Sequence, residues 1–385
     1  MSSVLFSYRR RLRRFALVTG SAALSLVTLP AAAAGSADNA ESFYKGSQIS
    51  LIVGSAPGGG YDTYSRLLAR HYNQHLVGHP NIVVQNMAGA SGVRALNYLA
   101  NIANRDGSVI GIGQRASLVE PIYGDGPVKL DARKLSWIGG LNTEWSVGIV
   151  WHKSGLNSLD DARQHEFPVS ASGASSDGYI YAAVLNNVLG TKFKINAGYP
   201  GTAEEQLAME RGEVAGRIGW AWGSIKATAG DLVDKGLLKT AVLLAPEKQP
   251  GFDAPLARDY AQTEEQREIL DFVFAPQLLG RPYFGPPGVP DNRIAALREG
   301  FAATVQDPKF LADAEKQKLD IQYVPAETLA ELIDHLYATP PDIIAKAKVA
   351  REYRGADGKL RASRSLGDGS SQTAKGSEQI RATAN

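Results

Sequence analysis

The chain has 385 residues, 44% hydrophobic and 21% charged, with 41 Lys and Arg against 39 Asp and Glu and no cysteine. That length suits two lobes rather than one small core, and the near-neutral balance lacks the basic excess with which nucleic-acid binders neutralise phosphates. Without cysteine, no disulfide contributes to stability even in an oxidising compartment.

Five of the arginines fall within the first fourteen residues (Arg9, Arg10, Arg11, Arg13 and Arg14). An apolar stretch from Phe15 to Leu29 follows, then Pro30 and four alanines, Ala31 to Ala34. A basic head, a short apolar middle and a small-residue exit predict a secretory signal peptide over residues 1–34. The alternative is an N-terminal anchor helix. No cysteine follows the apolar run, so lipid attachment there is excluded. Cleavage near Ala34 removes five basic residues and no acid; the remaining 36 basic residues then face 39 acids. No later stretch is long and apolar enough to span a bilayer.

From Phe43 to about Ala350, strand-like and helix-like segments alternate. Gln48–Gly54, Asn81–Asn86 and Ser108–Gly113 read as strands, with helices over Tyr61–Leu76 and Gly92–Ala103 between them. That β-α-β-α-β order predicts a mainly parallel sheet that binds ligands beyond the carboxyl ends of its strands. The pattern restarts with strands at Trp145–His152, Pro168–Ser172 and Phe193–Tyr199 and a helix at Tyr179–Leu189. Another helix, Thr202–Arg211, carries a capping-box start (Thr202-Ala203-Glu204-Glu205) and a stop at Gly212. Val214–Trp220 and Lys239–Leu244 complete a second set. After a helix at Thr263–Phe272 comes a proline-glycine stretch from Arg281 to Pro290. Helices follow at Asp291–Val305, Pro308–Leu319 and Ala326–Ala338, with a short strand at Gln322–Val324. Residues 43–145 and 275–353 are assigned to lobe 1, 146–250 to lobe 2 and 251–274 to a connection. Residues 354–385, almost without apolar side chains, are expected to be a disordered tail.

Three strand–loop–helix junctions share small residues: Ser55–Asp62, Ser170–Gly178 and Gly198–Thr202. Helix N-termini present unpaired N–H groups and a partial positive charge, and small residues let an anion come close. Each loop alone reads equally as a tight turn; three together point to an anion site. The first loop lacks the third spaced glycine of a dinucleotide fingerprint, Thr63 standing there, and the lysine of a P-loop. Nor does the chain hold a Gly-x-Ser-x-Gly elbow or a His-Glu-x-x-His motif. His71, His75 and His79 recur every four residues, but Gly78 and Pro80 end that helix; a solvated face is favoured over a metal site, and no metal is assigned. Asp160-Asp161 and Glu204-Glu205 lie in first helical turns, where acids complement the dipole. Gly219-Trp220-Ala221-Trp222 ends a strand, and its tryptophans either wall a cleft or fill the core. Arg115 and Ser117 follow a first-lobe strand, where Arg115 either meets an acidic ligand or forms a surface ion pair.

The stretches "YKGSQISLIVGSAPGGGYDTYSRLLA", "VVQNMAGASGVRALNYLA", "NRDGSVIGIG", "GYPGTAEEQLAMERGEVAGRIG" and "YFGPPGVPDNRIAALREGF" resemble the Bug receptors, periplasmic solute-binding components of tripartite tricarboxylate transporters. The resemblance runs from about Phe43 to Ala350. It implies a type II periplasmic-binding-protein fold: two α/β lobes with mainly parallel sheets, joined by crossover strands around a cleft. It also implies a ligand carboxylate clasped largely by main-chain N–H groups. Carried over, the contacts are Ser55, Ala56, Pro57, Gly58, Gly59, Gly60 and Asp62, with Ser172, Gly173, Ala174, Ser175, Ser176 and Asp177 opposite. Tyr199 and Gly201 flank Pro200, where the family has lysine. Asp177-Gly178 replaces a serine-histidine pair, and tryptophans stand near Gly219, where the family often has aspartate. Arg115, Ser117, Trp220 and Trp222 complete the candidate site.

The expected protein is a monomeric periplasmic receptor for a small carboxylate, without cofactor, catalysis or nucleic-acid partner. It would deliver its ligand to the membrane subunits of a tripartite tricarboxylate transporter. The alternatives are a sensing module feeding a membrane kinase and, further off, a secreted hydrolase.

Overall fold

The computed structural model describes residues 39–353 apart from Asp125, Pro250 and Gly251. The expected signal peptide and C-terminal tail lie outside the described residues.

Strands β1 (Gln48–Val53), β2 (Asn81–Asn86), β3 (Val109–Ile112), β4 (Ser136–Gly140), β10 (Pro282–Gly285) and β11 (Val324–Pro325) form one sheet, in the order β11-β4-β10-β3-β1-β2. Strands β5 (Ser146–Trp151), β6 (Phe167–Ala171), β7 (Phe193–Ala197), β8 (Gly216–Ala221) and β9 (Leu238–Leu244) form the other, in the order β7-β6-β8-β5-β9. The helices are α1 (Ala40–Tyr44), α2 (Gly60–His75), α3 (Val93–Asn101), α4 (Arg115–Val119), α5 (Leu159–Gln164), α6 (Asp177–Leu189) and α7 (Thr202–Glu210). They continue with α8 (Trp222–Asp234), α9 (Glu264–Phe274), α10 (Asp291–Gln306), α11 (Pro308–Lys316), α12 (Ala326–Tyr337) and α13 (Pro341–Ala350).

Both sheets are mixed. The strand–helix–strand units pair in parallel, β1 with β2 and β3, and β6 with β7 and β8. Strands that enter by other routes pair antiparallel: β10 with β3 and β4, and β5 with β8 and β9. Two of these, β4 and β10, are not among the strands expected from sequence. Tyr283 and Phe284 sit fully buried between prolines and glycines that read as a loop. Pro282 is tolerated because it is the first residue of its strand, where its missing N–H matters least.

The helices follow from their apolar spacing. In α2, Tyr64, Leu67, Leu68 and Tyr72 are fully buried at helical intervals, each such side chain contributing roughly 1.5–3 kcal/mol by leaving water. The helix ends before Gly78, whose φ is +76°. His71 and His75 lie on one α2 face and bond Asp313 (3.0 Å) and Asp307 (2.7 Å), stapling α2 to the α11 region. Asp313 is held below its ordinary pKa chiefly by the His71 bond, and Asp307 by the Lys309 N–H and then by His75. Among the described residues no group of His, Cys, Asp and Glu is arranged to hold a metal, and no helix is long and apolar enough to cross a membrane. Helix α6 is buried on nearly every side, as its apolar sequence requires. The largest apolar cluster runs from α3 and α4 through α6 to α9, α12 and α13, so the two sheets' layers share one core.

Candidate functional site

Four helices of nine or more residues begin at one cavity between the two sheets: α2 at Gly59-Gly60, α6 at Asp177, α7 at Gly201-Thr202 and α8 at Ala221. Each N-terminus carries about half a positive charge. Gly59 and Gly201 occupy the N-cap positions of α2 and α7, and neither has a side chain to cap its helix. Short helix α4 adds Gln114 and Arg115 to the wall. The cavity is about 50 Å3, enough for about four water-sized groups at roughly 10–15 Å3 each.

The walls meet closely. A Cβ on Gly60 would lie 1.9 Å from Ser224 Oγ, so only glycine lets α2 approach α8 this way. Ser117 Oγ, from the first sheet's side, lies 2.9 Å from Ser175 O on the second's. Gly219 has φ +84°, and a Cβ there would sit 2.9 Å from Asp177 O. It is the extra residue of a bulge, since Val147 pairs with Trp220 and Gly148 with Ile218. The bulge bends β8 where Trp220 reaches the cavity.

Three arginines line the cavity, each against an acid; Arg115 and Arg281 are buried and Arg217 is partly buried. Arg115 Nη2 lies 2.8 Å from Asp177 Oδ2 and 3.2 Å from Ser146 Oγ. Burial opposes the charge on Arg115, but Asp177, together with Tyr61, Tyr181 and Glu144, outweighs that effect and holds the guanidinium protonated. Arg281 Nη2 donates to Ser224 Oγ at 2.6 Å and lies 3.0 Å from Glu144 Oε2; its guanidinium stacks on Tyr61 at 4.6 Å. Arg217 pairs with Glu205, donates to Thr202 Oγ1 at 3.2 Å and lies 5.5 Å from the Trp220 ring. Burial pushes Glu205 up from the ordinary carboxylate range, with Arg217 opposing. Each arginine keeps buried N–H groups with no hydrogen-bond partner: Nε and Nη1 of Arg115 and Arg281, and Nε of Arg217.

Of the residues expected from sequence, Ser55, Ala56, Gly59, Gly60, Arg115, Ser172, Asp177, Gly201 and Trp220 line this cavity. The others do not. Asp62 turns back onto its own loop, accepting from Gly58 N (2.9 Å), Arg66 Nε (2.9 Å) and Asn86 Nδ2 (2.9 Å). That engages the Gly58 N–H as well, and Pro57 also stays off the wall. Ser176 caps α6, accepting from Tyr179 N and donating to Gly173 O. The Ser117 hydroxyl faces the backbone carbonyls of Ser175 and Ser91, Ser175 stays off the wall, and a Cβ on Gly173 would lie 2.6 Å from Ser91 Oγ. Ala174 faces a second cavity of about 230 Å3, behind the loop, with Tyr179, Ile180 and Lys348. Tyr199 packs into the apolar cluster around Met209. Trp222 packs edge-on against Phe252 with ring centres 5.0 Å apart, because the strand ends at Ala221 and strict alternation stops.

The reading of Thr202–Glu205 as a capping box is corrected: Gly201 is the N-cap and Thr202 the first helical residue. The Thr202 hydroxyl accepts from Arg217 instead, and Glu205 faces the same arginine. Sequence reasoning missed Arg217, Glu205, Arg281, Tyr61 and Ser224. The available signal was Arg217 inside "GRIGWA", a charge enclosed by residues that otherwise read as buried.

No protein-family model matches the sequence, and no curated protein matches it by sequence. Solved structures do match. BugD, a periplasmic binding protein, superposes with a TM-score of 0.63 at 17% identity, covering 80% of this chain and 98% of its own. MatC from Rhodopseudomonas palustris, solved with bound malate, gives 0.61 at 18% identity, covering 77% and 98%. An adipate-bound protein of R. palustris gives 0.60 at 18% identity, covering 78% and 97%. The chain therefore has the two-lobe α/β fold of the periplasmic binding protein BugD, shared with MatC.

Proposed function

We propose that this protein is a periplasmic receptor of the Bug type that encloses a small carboxylate between its lobes and presents it to a membrane transporter. The observation that carries this reading is the convergence on one interlobe cavity of four helix N-termini and three arginines that keep buried, unused N–H groups. A carboxylate satisfies such donors through charge-assisted bonds, where a neutral solute leaves them wanting. The similarity to malate-bound and adipate-bound proteins supports the ligand class. Main-chain groups at Gly59-Gly60 and Gly201 act together with the guanidinium groups of Arg115, Arg217 and Arg281, and the expected residues that stay off the cavity wall take no part.

Ligand entry requires the lobes to part, since the closed walls leave room for only a few atoms. A ligand that binds the folded state raises its melting temperature. In a thermal-shift screen of the chain, organic acids are expected to raise Tm, with a parallel change in Trp220 fluorescence. Stabilisation by neutral sugars or polyamines and by no acid refutes the reading.

A further inference from the structure

The second cavity, about 230 Å3 against about 50 Å3 for the first, takes no part in the site described above. It lies where three separate stretches of chain meet: Glu120–Tyr123 after α4, the start of α6 with the loop before it, and the C-terminal end of α13. Its apolar wall comes from Ala174, Ile180 and the rings of Tyr123 and Tyr179, each tyrosine 8% exposed. Neither tyrosine hydroxyl bonds another described residue, and neither is sealed from solvent.

The charges on this wall are uneven. Arg351 stacks on Tyr123 at 3.6 Å and pairs with Glu120, so those two charges cancel. Glu352 has an interaction of its own. Lys348 pairs with no carboxylate among the described residues. It reaches from α13 to the opposite wall, where a Cβ on Gly124 would lie 3.3 Å from its Nζ. One unpaired cation and two free hydroxyls thus border an apolar recess. Small-molecule sites have this composition, an apolar lining with a few converging polar groups.

We infer that this cavity is a second binding site, for a small organic anion with an aryl or short alkyl body. The acidic group meets Lys348 and the tyrosine hydroxyls through charge-assisted bonds, and the body lies against Ile180 and Ala174. A neutral analogue loses the attraction of Lys348. The site is separate from the cavity between the sheets, and the inference stands or falls without the receptor reading.

Fluorine NMR titration of the full chain with 4-fluorobenzoate and with its neutral amide, 4-fluorobenzamide, tests it. The acid is expected to bind saturably with a Kd below about 1 mM, at least about tenfold tighter than the amide. Lys348 is an exposed helical residue, so Lys348→Glu is expected to fold as wild type does and to weaken the acid at least about tenfold. Ile180→Trp, which fills the recess, is expected to abolish binding. No saturable binding by wild type overturns the inference, and so does equal affinity for acid and amide. Undiminished affinity in Lys348→Glu overturns it too, since the acid then binds elsewhere. The Lys348 comparison decides the matter even if Ile180→Trp does not fold.

Discussion

Two loops of this protein look alike in sequence and are held in opposite ways. Ser55–Asp62 and Ser172–Asp177 each join a strand to a helix through small residues, and each has an aspartate in the helix's first turn. Asp62 braces its own loop through Gly58, Arg66 and Asn86, all on the same lobe. Asp177 reaches across the cleft to Arg115. On the opening that the proposed function requires, the first loop would carry its shape with it, and the second loop's carboxylate would lose its partner. The same motif thus gives one rigid jaw and one whose electrostatics depend on closure.

The largest expected effect is on closure. Asp177→Ala leaves Arg115 buried and unpaired in the closed form, while in the open form water solvates it. The cost falls on closing rather than on folding. Ligand affinity is expected to fall about 100-fold, about 2.7 kcal/mol, with ligand-free Tm little changed. An equal loss of ligand-free stability would show that the two loops do not differ as described.

Asp62→Asn does the reverse. It removes the charge and turns one of the two accepting oxygens into an NH2 donor, so at least one of the three bonds is lost and ligand-free stability is expected to fall by about 2 kcal/mol, measured by urea denaturation. Closure contacts are untouched. A variant that keeps its stability but no longer closes, by small-angle scattering, would reverse the assignment.

The smallest effect is in pH. Burial works to raise the Asp62 pKa, but the bonds from Arg66, Gly58 and Asn86 win and hold it below the ordinary value. A depressed carboxylate contributes stability that is present at neutral pH and is lost as pH falls below about 4, through the folded value. The stability gap between wild type and Asp62→Asn is therefore expected to narrow from pH 7 to pH 3. A gap that stays constant would mean that the brace does not depend on the charge.

The two loops also mark the limit of what local sequence can say. Apolar runs such as Leu51-Ile52-Val53 and the small residues after them make the strands, the loops and the helix starts legible, because those depend on local spacing. Arg115 is legible because it follows a strand end. Arg217 shows only as a charge among residues that read as buried, and Glu205 looks like an acid placed for the helix dipole. Their meeting depends on how α7 packs over β8. Arg281 is hidden among prolines and glycines, whose loop-like composition conceals a buried antiparallel strand. Asp62 misleads for the converse reason. It stands in a loop of the right kind, but its bonding partner Asn86 lies on the neighbouring strand, β2.

Glu144 sits on the short crossover between β4 and β5. It accepts from Gly223 N at 2.9 Å and lies 3.0 Å from Arg281, which in turn bonds Ser224. The crossover is therefore tied to the cavity through one guanidinium. Under the proposed function, a ligand that engages Arg281 would act on the segment about which the lobes swing, so that escape and opening would share one barrier and residence time, more than encounter rate, would be where evolution or design can tune binding.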